Sequence, residues 1–170
     1  MISIPGPDNL NPLHLAVVYC NGNIPGWDCV KILDVEMFPV AAPDIARQAE
    51  QSKVFSRQPQ LEDSPPLLEF DNLAPDWINW QTWSKKVELT DFEKRSKVHC
   101  NSYVQSVGKA LNGAGIALVN GSMLEEELSS GALVRIGEPS LRPGSAYYLC
   151  KKQGGGLSLN ALALFQFLTT

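Results

Sequence analysis

Side chains that could carry out nucleophilic or metal chemistry are few in this chain. They are two histidines and four cysteines: His14, His99, Cys20, Cys29, Cys100 and Cys150. A catalytic cysteine needs a base that activates its thiol. His99 and Cys100 are neighbours on a predicted strand, so their side chains should point to opposite faces. Only His14, brought close by the fold, could serve Cys20 or Cys100, which leaves a small cysteine-dependent hydrolase as an alternative function.

The spacing of these residues does not indicate a metal or a disulfide framework. The cysteines are far apart and form no C-x-x-C pair, so we expect them to be reduced and mostly buried. No His, Cys or acidic residues show a recurrent ligand spacing, and the loop "QGGGLSL" lacks the glycine pattern of a nucleotide site. The sequence therefore predicts no catalytic residue, no metal and no cofactor, and a protein that is not an enzyme.

The composition of the chain limits the class of protein to which it can belong. The chain has 170 residues, of which 44% are hydrophobic, and a formal net charge of -4. Such a chain should fold as one domain or two small lobes, and it lacks the basic face that nucleic-acid binders present. No apolar run approaches the roughly 20 residues needed to span a bilayer, and the N-terminus does not resemble a signal peptide. We therefore expect a cytoplasmic protein without a membrane partner.

The first half of the chain predicts strands joined by turns, with two helices. The strands are at 14–20, 29–33, 35–42 and 67–70, and the helices at 43–51 and 76–87. Pro39 should confine its strand to a sheet edge or to an irregular crossing segment. The second helix carries three tryptophans, which could form an aromatic ligand platform. Core packing is the favoured interpretation.

The second half alternates strands and helices. Strands are predicted at 97–100, 115–119, 132–136 and 146–150, with a terminal helix at 158–168. Ser102 with Gln105, and Ser122 with Glu125, have the spacing of capping boxes. Val104, Val107 and Leu111 should form the apolar face of the helix that Gly113 ends. This is an α/β unit in which loops and helix N-termini remain for function.

One such helix N-terminus follows the strand at 97–100. The free N–H groups at Asn101, Ser102 and Tyr103, together with the positive end of the helix dipole, could hold a small anion such as a carboxylate. Alternatively, Ser102 serves only to cap its helix. The residues alone leave both interpretations open.

Several motifs in this order resemble a known family. They are "NSYVQSVGKALNGAGIALVNGSMLEEELSSGALVRI", "AYYLCKKQGGGLSLNALALFQFL", "PDWINWQTW" and "LAVVYCNGNIPGWDCVKILDVEMFPVAAP". Together they resemble the C-terminal effector-binding part of LysR-type transcriptional regulators, over about residues 13–168. Where that family has the Arg and Gly of an Ala-Ile-Arg-Tyr-Gly segment, this chain has Val18 and Cys20.

The resemblance implies an α/β, two-lobed fold of the type II periplasmic-binding-protein kind. Residues 1–43 and 146–170 would form the remnant of the first lobe, and residues 44–145 the second. The family's DNA-binding domain has no counterpart here. Nor do the first strand and helix of its effector domain, so the domain would be truncated at its N-terminus with an incomplete first lobe.

The function implied is that of an effector-binding domain. A small anionic or zwitterionic metabolite would bind between the lobes and alter how protomers associate, with a homo-oligomer in the full-length regulator and DNA bound only through the other domain. A solute-binding protein of the same fold is the alternative, which the N-terminus disfavours. The ligand-binding residues implied are Tyr19, Asn21, Asn101, Ser102, Tyr103 and Tyr148.

Overall fold

The computed structural model describes residues 14–56, 58–70, 78–89 and 91–169. Its strands are β1 (Leu15–Cys20), β2 (Trp27–Leu33), β3 (Met37–Ala41), β4 (Leu67–Phe70), β5 (Lys97–Cys100), β6 (Ile116–Asn120), β7 (Val134–Arg135) and β8 (Ala146–Lys152). Its helices are α1 (Pro43–Gln51), α2 (Trp80–Lys86), α3 (Tyr103–Leu111), α4 (Glu125–Ser129) and α5 (Leu159–Thr169).

The chain divides into two compact units. The first unit contains the described residues up to Val35 and those from Pro143 onward, and the second unit is Glu36–Arg142. The boundary predicted after residue 43 would place β3 in the first lobe. In the structure β3 belongs to the second unit, because it pairs antiparallel with β6 and with β7.

The first unit is an antiparallel sheet of order β1-β8-β2 with helix α5. Its apolar cluster has two fully buried members, Val18 and Cys150, surrounded by partly buried side chains. The predicted strand β1 is therefore only half-buried. No residue of α5 is buried, and Phe167 is 80% exposed. The first unit thus buries little apolar surface.

The expectation of four reduced cysteines is wrong for two of them. Cys29 on β2 and Cys150 on β8 are direct cross-strand partners, with Cα atoms 4.1 Å apart, and they form a disulfide. Because the two cysteines are 121 positions apart in sequence, no local pattern could predict this pairing. Cys20 and Cys100 are free, and Cys100 is buried as predicted.

The second unit contains a five-stranded sheet of order β5-β4-β6-β3-β7. β4 runs parallel to β5 and β6, and every residue of β3 and β6 is buried. Pro39 therefore lies inside the sheet and not at its edge. The Pro39 carbonyl accepts a hydrogen bond from the Ile136 amide, on the side of β7. Because the N–H and C=O of a strand residue point to the same side, the N–H that proline lacks would also have faced the two-residue strand β7. Pro39 therefore costs β3 no hydrogen bond to β6.

Tryptophans of the second unit confirm the core-packing interpretation. Trp80 and Trp83 are 2% and 0% exposed, and their rings contact each other edge to face at 5.5 Å. Each indole N–H donates to a backbone carbonyl, of Leu68 and of Met37 respectively. Helix α2 begins at Trp80 because Asn79 caps it, and the predicted residues 76 and 77 lie outside the described ranges.

Two local predictions in the second half are wrong in detail. Helix α3 buries Val107 with Ser106 and Ala110, whereas Val104 is 78% exposed. The buried face is therefore rotated relative to the apolar pattern. The predicted capping box at Ser122 is absent, because Ser122 lies in a short 3-10 helix and Leu124 occupies the N-cap position of α4 without a side-chain hydrogen bond.

Candidate functional site

Three parallel strands of the second unit end at one edge of its sheet, which we call the carboxyl edge. β4 ends at Phe70, β5 at Cys100 and β6 at Asn120. Helix α3 begins at Tyr103, immediately beyond β5, and packs on β4 and β6. The carboxyl ends of strands, where helix N-termini also gather, are the usual ligand-binding region of open α/β sheets.

The capping box predicted at the start of α3 is confirmed. The Ser102 hydroxyl accepts a hydrogen bond from the Gln105 amide at 3.2 Å. The Gln105 side chain reaches back to the amide of Asn101, at 2.6 Å, and not to that of Ser102. Asn101 and Ser102 are both exposed. The loop that carries the predicted anion-binding residues is thus held in place from both sides.

Tyr103 is the third predicted residue at the carboxyl edge. Its ring packs edge to face against Phe70, the last residue of β4, with the centroids 5.9 Å apart. It is partly buried and belongs to the margin of the second unit's core. The structure therefore brings Asn101, Ser102 and Tyr103 together at one place.

A charged cluster at the ends of the second unit was not predicted. The Glu36 carboxylate accepts from Arg142 at 2.7 Å and from Arg135 at 3.4 Å. The hydrogen bond from Arg142 holds the pKa of Glu36 below its ordinary value, with Ser140 adding a second bond. Glu36 and Arg142 are separated by 106 positions, so only the fold brings them together.

Asn120 was also missed by the sequence reasoning. It is 4% exposed, and its side-chain oxygen accepts from the Glu36 amide at 3.2 Å. It thereby links the end of β6 to the start of β3 at the carboxyl edge. Its position directly after the apolar strand is the signal that could have identified it.

The first unit holds the other three predicted residues. Tyr19 lies opposite Tyr147 on the paired strand, with ring centroids 5.3 Å apart. Tyr148 instead packs with the Val18 cluster. Because adjacent residues of a strand alternate between faces, Tyr19 and Tyr148 lie on opposite faces of the sheet.

Asn21 lies in the turn after β1. Its side-chain oxygen accepts from the Asn23 amide at 3.0 Å, an arrangement that stabilises the turn itself. Gly22 follows with φ +85°, and a Cβ added there would lie 2.7 Å from the Tyr148 ring. The turn and Tyr148 are therefore in direct contact, and Gly22 is required for this approach.

The cysteine–histidine alternative gains no support from the geometry. His14 precedes β1 and Cys20 ends it, so six residues of extended chain, about 20 Å, separate them. Cys100 is buried in the second unit. Among the described residues, no group of three His, Cys, Asp or Glu side chains could hold a metal ion, and none of the helices there is long and apolar enough to cross a membrane.

Comparisons with known proteins define the class. The family model of the LysR substrate binding domain matches residues 10–170. The effector-binding domain of AmpR from Citrobacter freundii is 19% identical, with a TM-score of 0.64 over 97% of this chain and 76% of that one. The regulatory domain of AphB in Vibrio vulnificus is 15% identical, with a TM-score of 0.65 over 99% and 77%.

A third similar structure is the apo form of the regulatory domain of HypT from Salmonella typhimurium. It is 16% identical, with a TM-score of 0.57 over 93% of this chain and 72% of that one. No curated protein sequence matches the chain. At these identities, the solved structures establish the fold.

The fold is therefore the mixed α/β, type II periplasmic-binding-protein-like fold that the motifs implied. The chain belongs to the family of LysR substrate-binding domains, the regulatory effector-binding domains of LysR-type transcriptional regulators.

Proposed function

We propose that this chain binds a small anionic or zwitterionic metabolite as the effector domain of a LysR-type transcriptional regulator. The observation that carries the proposal is the position of α3, whose capped N-terminus stands at the carboxyl edge where three parallel strands end. The positive end of a helix dipole favours an anion at such a place. Family membership supplies the regulatory context.

Ser102 has the right chemistry for the anionic group of the ligand. Its oxygen accepts the Gln105 amide, which leaves the hydroxyl hydrogen able to donate to a carboxylate. The backbone N–H of Asn101 is already donated to Gln105, but the exposed side-chain amide of Asn101 can donate and accept beside Ser102. An amino acid or another small carboxylate matches this donor set better than a neutral sugar does.

In the first unit, the proposed ligand contacts are Tyr148 and Asn21, with Tyr19 as a supporting residue. Tyr148 and the turn at Asn21 are the better supported, because the Tyr148 ring lies against Gly22. Tyr19 faces the other side of the sheet and packs on Tyr147, so its proposed contribution is to hold β1 on β8.

Regulation would follow from differential affinity. A ligand shifts an equilibrium only as far as it prefers one state of the protein over another. We propose that the metabolite favours one arrangement of protomers in a homo-oligomer, and that a separate part of the parent regulator binds DNA. The net charge of -4 of this chain is consistent with that division.

Thermal unfolding against a panel of ligands tests the proposal. The panel contains amino acids, small carboxylates and cell-wall sugar peptides, each tested over a wide range of concentration. A ligand at about 100 times its Kd stabilises the native state by about 2.7 kcal/mol. A stabilisation confined to one class of carboxylate supports the proposal. If no compound raises the unfolding temperature while the chain still unfolds cooperatively, the proposal fails.

Two variants then separate ligand binding from helix capping. Ser102→Ala removes the hydroxyl and the cap, and it should weaken binding roughly ten- to hundredfold, as expected for a lost hydrogen bond to a charged group. Gln105→Ala loosens the same cap but keeps the hydroxyl, so it should bind almost as well as the wild type. Equal loss in both variants would show that Ser102 acts only as a cap.

A further inference from the structure

The disulfide between Cys29 and Cys150 joins an edge strand of the first unit's sheet, β2, to its central strand, β8. The two cysteines face each other across β2 and β8, and Cys150 is one of the two fully buried residues of the local apolar cluster. Trp27 and Tyr148 belong to the same cluster. A change in this bond therefore acts directly on the packing around Tyr148.

The two cysteines differ in their exposure to solvent. Cys150 lies on the central strand β8 and is 0% exposed. Cys29 lies on β2, an edge strand of that sheet, and is partly exposed. Thiol chemistry depends on access as well as on thiolate character. We therefore expect a small reagent from solution to react at Cys29, and Cys150 to react with Cys29 from the interior.

The bond also crosslinks an edge strand of the unit, β2, to its central strand, β8. β2 pairs only with β8 in the described sheet, and its register shifts between Lys31 and Leu33. Its ion pair from Asp28 to Lys151 is long, at 3.8 Å, and exposed. Without the disulfide, β2 is held by main-chain bonds to β8, by the contacts of Asp28 with Gln153 and Lys151, and by its contacts with α5.

We propose that Cys29 and Cys150 form a reversible redox site, in which Cys29 reacts with small thiols and hydroperoxides and Cys150 is the resolving cysteine. The proposal does not depend on the proposed metabolite, since a chain that binds none could still undergo this reaction. Its consequence is that the redox state sets how firmly β2 is held on β8, and hence the packing around Tyr148.

Reduction proceeds by thiol–disulfide exchange with a dithiol. A thiolate of the dithiol attacks the Cys29 sulfur, the S–S bond breaks, and Cys150 leaves as a thiolate that takes up a proton. The second thiol of the reductant then attacks the mixed disulfide. Cys29 is released as a thiol, and the reductant, oxidised by two electrons, leaves as a cyclic disulfide.

Oxidation requires a hydroperoxide. The Cys29 thiolate attacks one peroxide oxygen, and the O–O bond breaks. Cys29 becomes a sulfenic acid, and the rest of the peroxide leaves as an alcohol, or as water when the oxidant is hydrogen peroxide. The Cys150 thiol then attacks the sulfenic sulfur, the S–S bond forms, and water leaves. The peroxide gains the two electrons that the two thiols lose.

Counting thiols in the intact chain is the first test. The protein is denatured without reductant in the presence of an alkylating reagent, and its mass is measured. We expect two adducts, on Cys20 and Cys100, before reduction, and four after it. Peptide mapping should assign the disulfide to Cys29 and Cys150. Four adducts after treatment with hydrogen peroxide, or a disulfide that includes Cys20, would overturn the proposal.

The second test asks whether the native protein undergoes the reaction reversibly. Dithiothreitol without denaturant should yield four thiols, and hydrogen peroxide should return the count to two. Cys20→Ser is the matched control, because it removes a free thiol of the same unit: it should still lose two thiols on oxidation and recover them on reduction. The variant Cys150→Ser should stop at a Cys29 sulfenic acid, which a dimedone probe labels.

Two readouts connect the chemistry to the sheet. Disulfides quench nearby indoles, so reduction should raise the emission of Trp27, and Trp27→Phe should abolish that rise. Amide exchange in β2 should accelerate on reduction while that in β6 stays unchanged. If dithiothreitol reduces the bond only after the chain is unfolded, or if exchange in β2 is the same in both states, the disulfide is a static crosslink and the proposal fails.

Discussion

Breaking the Cys29–Cys150 bond should destabilise the first unit much more than the second. A crosslink stabilises a protein mainly by lowering the conformational entropy of its unfolded chain, and the effect grows with the length of the loop that it closes. With the whole chain unfolded, this bond closes a loop across a separation of 121 positions, which corresponds to about 5 kcal/mol.

The stabilisation is smaller when the second unit remains folded. Met37 and Leu141 then stay paired through two backbone hydrogen bonds of 2.9 Å each, and they bring the two ends of that unit together. Cys29 lies eight positions before Met37, and Cys150 nine positions after Leu141. The disulfide therefore closes only about 17 flexible residues, which corresponds to about 3 kcal/mol.

Native-state hydrogen exchange measures this difference. A loss of about 3 kcal/mol is roughly a hundredfold faster exchange for β8 amides that exchange when the first unit opens. Amides of β6, which open with the second unit, should change much less. The double variant Cys29→Ala with Cys150→Ala, kept under oxidising conditions, should match the reduced wild type, whereas Cys20→Ala should match the oxidised one.

Two results would refute this reasoning. If reduction accelerated β8 and β6 amides by the same factor, the two units would unfold together and the short-loop estimate would not apply. If β8 amides changed by less than about threefold, the bond would not constrain the unfolded chain as the loop argument requires.

Three further predictions concern the second unit. Trp83→Ala should reduce the free energy of unfolding by about 3–5 kcal/mol, because it empties a fully buried indole site and removes the indole hydrogen bond to the Met37 carbonyl. Urea denaturation measures the loss. The hydrogen bond from Arg142 lowers the pKa of Glu36, so the folded protein should lose stability as the pH falls below the ordinary value of 4.5 and through the folded value. Urea midpoints measured against pH test this, and Glu36→Gln should lose less stability in acid than the wild type does. Gly115→Ala places a Cβ 2.4 Å from a backbone oxygen and should cost about 1–3 kcal/mol by the same assay, more than Gly131→Ala, which shares a positive φ but has open space around it.

Short-range signals determined much of the secondary structure from the sequence. The predicted bounds of α1, β4 and β5 agree with the structure. The cap at Ser102 and the helix stop near Gly113 were predicted as well, because each depends on hydrogen bonds or backbone angles within a few residues. The order of motifs was also enough to imply the family that the comparisons confirm.

Details that depend on neighbouring elements were not predictable in this way. The sequence of α3 places apolar side chains at Val104 and Leu111, yet the helix buries Ser106 and Ala110, because small residues allow it to lie close to the sheet. Ser122 had the spacing of a cap, but the chain after β6 turns into a 3-10 helix before α4 starts. Packing, and not propensity, decides both outcomes.

The candidate site divides in the same manner. The sequence by itself marked the capped helix N-terminus at Asn101 and Ser102, where we propose that an anion binds. Only the tertiary structure decided that Tyr19 and Tyr148 lie on opposite faces of one sheet. Such facts, like the disulfide and the Glu36 cluster, depend on strand register between distant segments, and register is set by the whole set of packed neighbours and not by the residues adjacent in sequence.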